Sequence, residues 1–148
     1  MMAAVANGGI LWKPRLVQPV ERADGSLAYS ASSKMTERVE LSPVVWAFLR
    51  HALAAVVKDG TGALARVPGV DIAGKTGTAQ TIAKSDASKG QDHAWFASFA
   101  PAADPQYVVV ILVERGGKGG QVAAPIARQV YEAIFLQKVA QVTFGESG

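Results

Sequence analysis

Residues Gly74-Lys75-Thr76-Gly77-Thr78-Ala79-Gln80 combine a cation, two hydroxyls and a bare glycine within one short run. On a β-strand Thr76 and Thr78, two apart, would point to one face. Their hydroxyls can then donate together to a carboxylate, with the Lys75 ammonium adding positive charge beside them. Gly77 carries no side chain, so a substrate backbone can lie close against the strand. A backbone N–H at such an edge can also serve as an oxyanion donor. One such donor is worth ~3–4 kcal/mol in a serine hydrolase. This chemistry suits an acyl donor that ends in a free carboxylate.

The same stretch satisfies a second pattern. Gly69-Val70-Asp71-Ile72-Ala73-Gly74-Lys75-Thr76 fits the phosphate-loop spacing G-x-x-x-x-G-K-[ST] over residues 69–76, which would make this a nucleotide site. Three features oppose it. Pro68 sits where a buried strand should end, β-branched Val70 and Ile72 resist the backbone angles such a loop needs, and Gly77, Thr78 and Thr81 are poor residues for the helix that should follow.

The elements around the run are legible in outline. Met1–Ala6 is helical in character, reads as the tail of a longer helix, and reaches Asn7-Gly8-Gly9 at once. Leu11–Glu21 and Leu27–Ser32, separated by Ala23-Asp24-Gly25-Ser26, read as an edge hairpin interrupted by Pro14 and Pro19. Ser42-Pro43 is a strong helix start, followed by Val45, Leu49, Leu53 and Val56 at helical spacing. Gly60-Thr61-Gly62 is expected to be the turn that stops this helix, near the cleft but not a binding loop. Val70–Thr81, Ala94–Ala100 and Tyr107–Glu114 read as strands, with a polar loop at 84–92 and a turn at Pro101–Pro105. Val122–Val139 has helical periodicity. Three consecutive strands joined by short links favour antiparallel pairing. The fold class is therefore α/β in the α+β sense, an antiparallel sheet flanked by helices.

Composition narrows the function classes. The chain has 148 residues, 49% hydrophobic and 18% charged, with no cysteine. These values fit one globular domain and exclude disulfides and Cys-ligated metals. His51 and His93 alone do not build a zinc site, and no cofactor is expected. A net charge of +3, spread along the chain, gives no basic stripe for nucleic acid. The longest apolar run, Tyr107–Val113, is far shorter than the ~20 residues of a membrane helix. His51 reads as a helix-face residue and His93 as solvated or loop-anchoring. Trp95 and Phe96 read as core and strand-edge packing, Arg115 and Lys118 as surface charges.

Several blocks occur in one order: Ala6-Asn7-Gly8-Gly9, Lys13-Pro14, Gly60-Thr61-Gly62, Ala73–Gln80, His93-Ala94-Trp95-Phe96-Ala97-Ser98-Phe99-Ala100-Pro101 and Gly119-Gly120-Gln121-Val122-Ala123-Ala124-Pro125. Together they resemble the C-terminal part of the transpeptidase domain of class B penicillin-binding proteins, and the His-Ala-Trp-Phe block is most similar to the elongation-type penicillin-binding protein 2 group. The resemblance implies a partial penicillin-binding, serine β-lactamase-like fold. It implies a D,D-transpeptidase that cross-links peptidoglycan stem peptides through a serine acyl-enzyme and is trapped by β-lactams, on the periplasmic side of the bacterial inner membrane. Lys75 would support proton transfer and the electropositive field. Thr76, Gly77 and Thr78 would bind the donor, and the Thr78 N–H would join the oxyanion hole. The family also uses a Ser-x-x-Lys and a Ser-x-Asn motif. Here no lysine has a serine three positions before it, and Asn7, the one asparagine, follows Val5-Ala6. The nucleophile is thus expected in an N-terminal part of the domain outside residues 1–148, leaving this chain inactive alone. That part would also pair with Tyr107–Val113, whose apolar edge is otherwise open to self-association. The alternative is a pseudoenzyme or free-standing fragment that binds peptides or partner proteins without chemistry.

Overall fold

The computed structural model describes residues 1–30, 32–80 and 92–145, with side chains as far as residue 136. The chain runs α1 (Met2–Ala6), β1 (Ile10–Trp12), β2 (Val20–Glu21), β3 (Leu27–Tyr29), β4 (Met35–Arg38), α2 (Pro43–Lys58), a 3-10 turn (Ala63–Ala65), β5 (Ala73–Ala79), β6 (His93–Ala100), β7 (Tyr107–Val113) and α3 (Gly119–Gly145). The order β5-β6-β7 is one antiparallel sheet.

Sheet alternation decides where everything else sits. Thr76 pairs with Phe96, which pairs with Ile111, and Ser98 joins Gly74 to Val109. This face is covered by α3, whose Ala123, Ala124 and Ala127 are wholly buried with Phe96 and Tyr131. Small side chains bring the helix close to the sheet. Where it crosses, the Tyr131 hydroxyl lies 3.0 Å from Ser98 Oγ, and that Oγ donates to the Val109 carbonyl at 3.1 Å. The buried Ser98–Tyr131 pair under α3 is therefore satisfied. On the opposite face Phe99 and Ala73 pack with Met2, Ala6 and Leu53 of α1 and α2. Further out on that face Val108, Val110 and Leu112 of β7 are 41%, 51% and 45% exposed. Among the described residues no strand pairs beyond β7.

α2 begins as its sequence predicts: Ser42 Oγ accepts from the Val45 N–H at 3.4 Å and Pro43 opens the helix. It ends at Lys58, before Gly60. The expected hairpin needs correcting. Only Val20–Glu21 and Leu27–Tyr29 form it, because Pro14 and Pro19 break the run before it. Leu11 belongs to β1, which pairs with β4, a strand the sequence does not announce. The strand expected over 70–81 is β5, which starts at Ala73; Thr81 and nearly all of the 84–92 loop lie outside the described residues. α3 starts at Gly119, three residues earlier than its periodicity indicates.

Candidate active site

Among the described residues β5 is an edge strand, and its residues 75–78 form one wall of a cleft of about 770 Å³. The opposite walls are Gly60, Thr61 and Leu64 after α2, and Gly117–Gln121 at the start of α3. A second cavity of about 730 Å³ lies between α2, the 66–72 turn and α3. Both of its arginines are engaged locally: Arg66 donates to the carbonyls of Ala63 and Lys58, and Arg128 pairs with Glu132 at 2.8 Å. A third, of about 340 Å³, gathers Lys13, Arg15, Tyr29, Ser30, Ser32 and Lys34 around the β2–β3 hairpin. The cleft at β5 brings the hydroxyls of Thr61, Thr76 and Thr78 together with Lys75 and Lys118.

The phosphate-loop reading of residues 69–76 fails on this geometry. Gly69 sits in a turn closed by a Val67–Val70 bridge, and Lys75 and Thr76 lie inside β5. No helix starts at Lys75, so the backbone N–H groups of Gly74 to Thr76 are not gathered around one point as a phosphate requires.

Thr76 and Thr78 share the face toward the cleft, and Lys75 belongs to the other. Yet the Lys75 side chain is exposed and returns to the edge, where Nζ donates to the Thr76 carbonyl at 2.9 Å. That contact also identifies which backbone groups point away from β6. The Thr76 carbonyl faces outward, away from β6. Since strand groups alternate in direction, the N–H of Thr78 is presented at the same open edge. The Thr78 hydroxyl is exposed and has no protein partner among the described residues. The Thr76 hydroxyl is half-buried and lies 2.7 Å from the Thr61 hydroxyl.

Glycines set how closely the walls approach. A Cβ on Gly74 would lie 2.8 Å from both Phe96 Cζ and Ser98 Cβ. A Cβ on Gly119 would collide with the carbonyl oxygens of Trp95 and Gly77. The first turn of α3 therefore rests directly on the paired backbones of β5 and β6, and the positive end of its dipole adds to the field of Lys75 and Lys118. Two bonds tie the turn before it to the start of β6: Arg115 N–H donates to His93 Nδ1 at 3.0 Å, and Gly117 N–H donates to the Asp92 carbonyl at 2.7 Å. His93 is thus loop-anchoring, as its position suggests. Phe96 is core, whereas Trp95 is not at a strand edge: it lies on the central strand β6, paired with both Gly77 and Leu112, and is partly exposed on the face opposite α3. His51 and Arg115 are exposed, while Lys118, expected as a plain surface charge, lines the cleft. Thr61, expected only as part of a helix-stop turn near the cleft, lines the cleft itself.

The family model for the penicillin-binding protein transpeptidase domain matches residues 1–132. The chain belongs to the penicillin-binding protein transpeptidase family. It is 40% identical over 138 residues to the peptidoglycan D,D-transpeptidase PbpA of Mycolicibacterium smegmatis, covering 88% of this chain and 27% of that protein. It is 34% identical to the peptidoglycan D,D-transpeptidase MrdA of Haemophilus influenzae, covering 93% of this chain and 23% of that one. Among solved structures, penicillin-binding protein A of M. tuberculosis in a ceftriaxone acyl-enzyme complex superposes with a TM-score of 0.75 at 38% identity, over 90% of this chain and 30% of that one. The D,D-transpeptidase domain from Eggerthella lenta gives 0.76 at 35% identity, over 93% and 31%. The chain thus spans about a quarter of the length of the curated relatives it matches. Partial coverage and an antiparallel sheet between helices agree with the partial transpeptidase fold expected from the sequence.

Proposed function

We propose that residues 1–148 are the C-terminal portion of one D,D-transpeptidase domain, and that the complete domain cross-links peptidoglycan stem peptides and is acylated by β-lactams. The reading is carried by one observation: an open strand edge that presents the Thr78 N–H, the Thr78 hydroxyl and the Lys75 ammonium to a single cleft. A serine supplied by the rest of the domain bonds to the penultimate D-alanine carbonyl carbon. The amide bond to the terminal D-alanine breaks, and its nitrogen takes the proton that the serine hydroxyl gives up. The amine of a second stem peptide then displaces the serine oxygen. In this scheme the Thr78 N–H stabilises the oxyanion, Thr76 and Thr78 hydroxyls hold the terminal carboxylate, Gly77 lets the donor lie against β5, and Lys75 supplies positive charge and supports proton transfer. Support comes also from the relatives named as D,D-transpeptidases. By the same likeness the domain would act outside the inner membrane; no helix among the described residues is long and apolar enough to cross one.

Thr78→Val in the complete protein tests the assignment. The substitution keeps the branched shape and removes one donor to a charged group, a loss of about 1.5–3 kcal/mol. The second-order rate of acylation by a fluorescent penicillin should fall about ten- to a hundredfold with folding intact. A rate within about twofold of wild type would remove Thr78 from the carboxylate site. In the same assay residues 1–148 alone should form no covalent adduct, because no serine here has a lysine three residues after it.

A further inference from the structure

We infer that Thr61 is a positioning residue for the carboxylate site, setting the direction in which Thr76 donates its single hydroxyl proton. This rests on the reading of Thr76 and Thr78 as carboxylate ligands and deepens it. Thr61 and Thr76 are fifteen residues apart in sequence and on different elements, yet their hydroxyl oxygens lie 2.7 Å apart in the cleft. Each hydroxyl has one proton and two lone pairs. If Thr76 donates to Thr61, Thr76 has nothing left to offer an anion. If Thr61 donates to Thr76, the Thr76 proton is free to point into the cleft, and its donor strength is raised by the bond it receives. A bound carboxylate accepts only, so it selects the second arrangement. Thr61 is then the source of the proton that frees Thr76.

The position of Thr61 is built, not incidental. The Gly62 N–H donates to the Val56 carbonyl at 2.9 Å, tying the turn to the last turns of α2. A Cβ on Gly62 would lie 3.1 Å from the Phe96 ring, so the turn is seated against the sheet. On its other side a Cβ on Gly120 would collide with the Thr61 carbonyl. Two glycines from separate elements let the Thr61 backbone sit between α3 and the sheet. Among the described residues its hydroxyl has no partner but Thr76.

The test compares Thr61→Val, Thr61→Ser, Thr76→Val and the Thr61→Val/Thr76→Val double variant in the complete transpeptidase. The probes are benzylpenicillin and its methyl ester, and thermal melting checks folding. Thr61→Val should slow acylation by benzylpenicillin about five- to tenfold, the size of one neutral hydrogen bond, through weaker binding before acylation, not a slower chemical step. The methyl ester should lose little. Thr61→Ser keeps the hydroxyl and should stay within about twofold of wild type. The double variant should be no slower than Thr76→Val. Four results would overturn the inference: Thr61→Val at the wild-type rate while Thr76→Val is slow, Thr61→Ser as slow as Thr61→Val, equal losses on acid and ester, or losses that multiply in the double variant. A wild-type rate in Thr76→Val is the separate outcome that sinks the carboxylate reading itself, and the role of Thr61 with it.

Discussion

Gly119→Ala should damage the cleft more than it damages the fold. The added methyl would meet the carbonyl oxygens of Trp95 and Gly77. Both belong to a paired position of the β5–β6 ladder, so neither can rotate away as a flexible side chain would. Overpacking of this kind costs about 1–3 kcal/mol. Alanine is the better helix former by up to about 1 kcal/mol in a helix interior, less in a first turn, so the clash wins. Relief comes from moving the start of α3 off the strand, and that turn is a wall of the cleft. Misplacing a positioning group by about 1 Å can cost a hundredfold in rate. Penicillin acylation of the complete Gly119→Ala protein should therefore fall about ten- to a hundredfold, while its Tm drops by only a few degrees. Gly69→Ala is the control. Gly69 has φ +77° and nothing within 4 Å of where a Cβ would stand, so the substitution brings only backbone strain of about 1–2 kcal/mol and lies away from the cleft. Its acylation rate should be that of wild type at a similarly lowered Tm. Gly119→Ala with unchanged melting and unchanged acylation would show that α3 does not rest on β5 and β6 as described.

Two further outcomes are expected. Burial raises the Tyr131 hydroxyl from 10.0 to about 12, against the opposing effect of its bond to Ser98; the neutral form is favoured in the folded state, so this contribution is fully present below about pH 10 and is lost as pH rises through about 12, a fall of about 2–3 kcal/mol. Urea titrations at pH 9 and above pH 11 should show that loss in wild type and not in Tyr131→Phe, and equal losses in both would contradict the buried hydroxyl. Residues 1–148 produced alone should self-associate through β7, whose outer edge has no partner among the described residues and whose Val108, Val110 and Leu112 are exposed; light scattering should show larger species at micromolar concentration and Val110→Lys should return the chain toward a monomer, whereas a wild-type monomer at high micromolar concentration would mean that the edge is otherwise protected.

What the sequence discloses tracks burial. β6 and β7 are legible because one face of each packs on α3, which enforces a hydrophobic pattern. α2 is legible because Ser42 and Pro43 carry local start chemistry that needs no tertiary partner. β4 is silent for the opposite reason. All four of its residues are exposed, so nothing selects an alternation, and its partner β1 lies far upstream in the chain. The start of α3 is silent because Gly119 and Gly120 are poor helix residues chosen for contact, not propensity. Local preference predicts a later start; the flat backbone of Gly77 and Trp95 imposes the earlier one.

The site divides along the same line. Lys75, Gly77 and the two threonines are readable because a strand's period of two fixes their mutual directions without any other element. The phosphate-loop pattern over 69–76 shares the same glycine, lysine and threonine, so spelling alone does not separate the readings; the β-branched residues before Gly74 do, by favouring entry into a strand. Thr61 is unreadable by that route. Its role depends on where α2 stops, how the next turn sits on Phe96, and how far Gly120 lets α3 descend, three facts held by three separate elements. A single threonine between two glycines looks like a turn, and it is one. It becomes part of a site only because the sheet edge it faces carries a second hydroxyl at hydrogen-bond distance. The carboxylate site proposed above is thus a strand motif completed by a turn, and the turn is set by packing that no local pattern encodes.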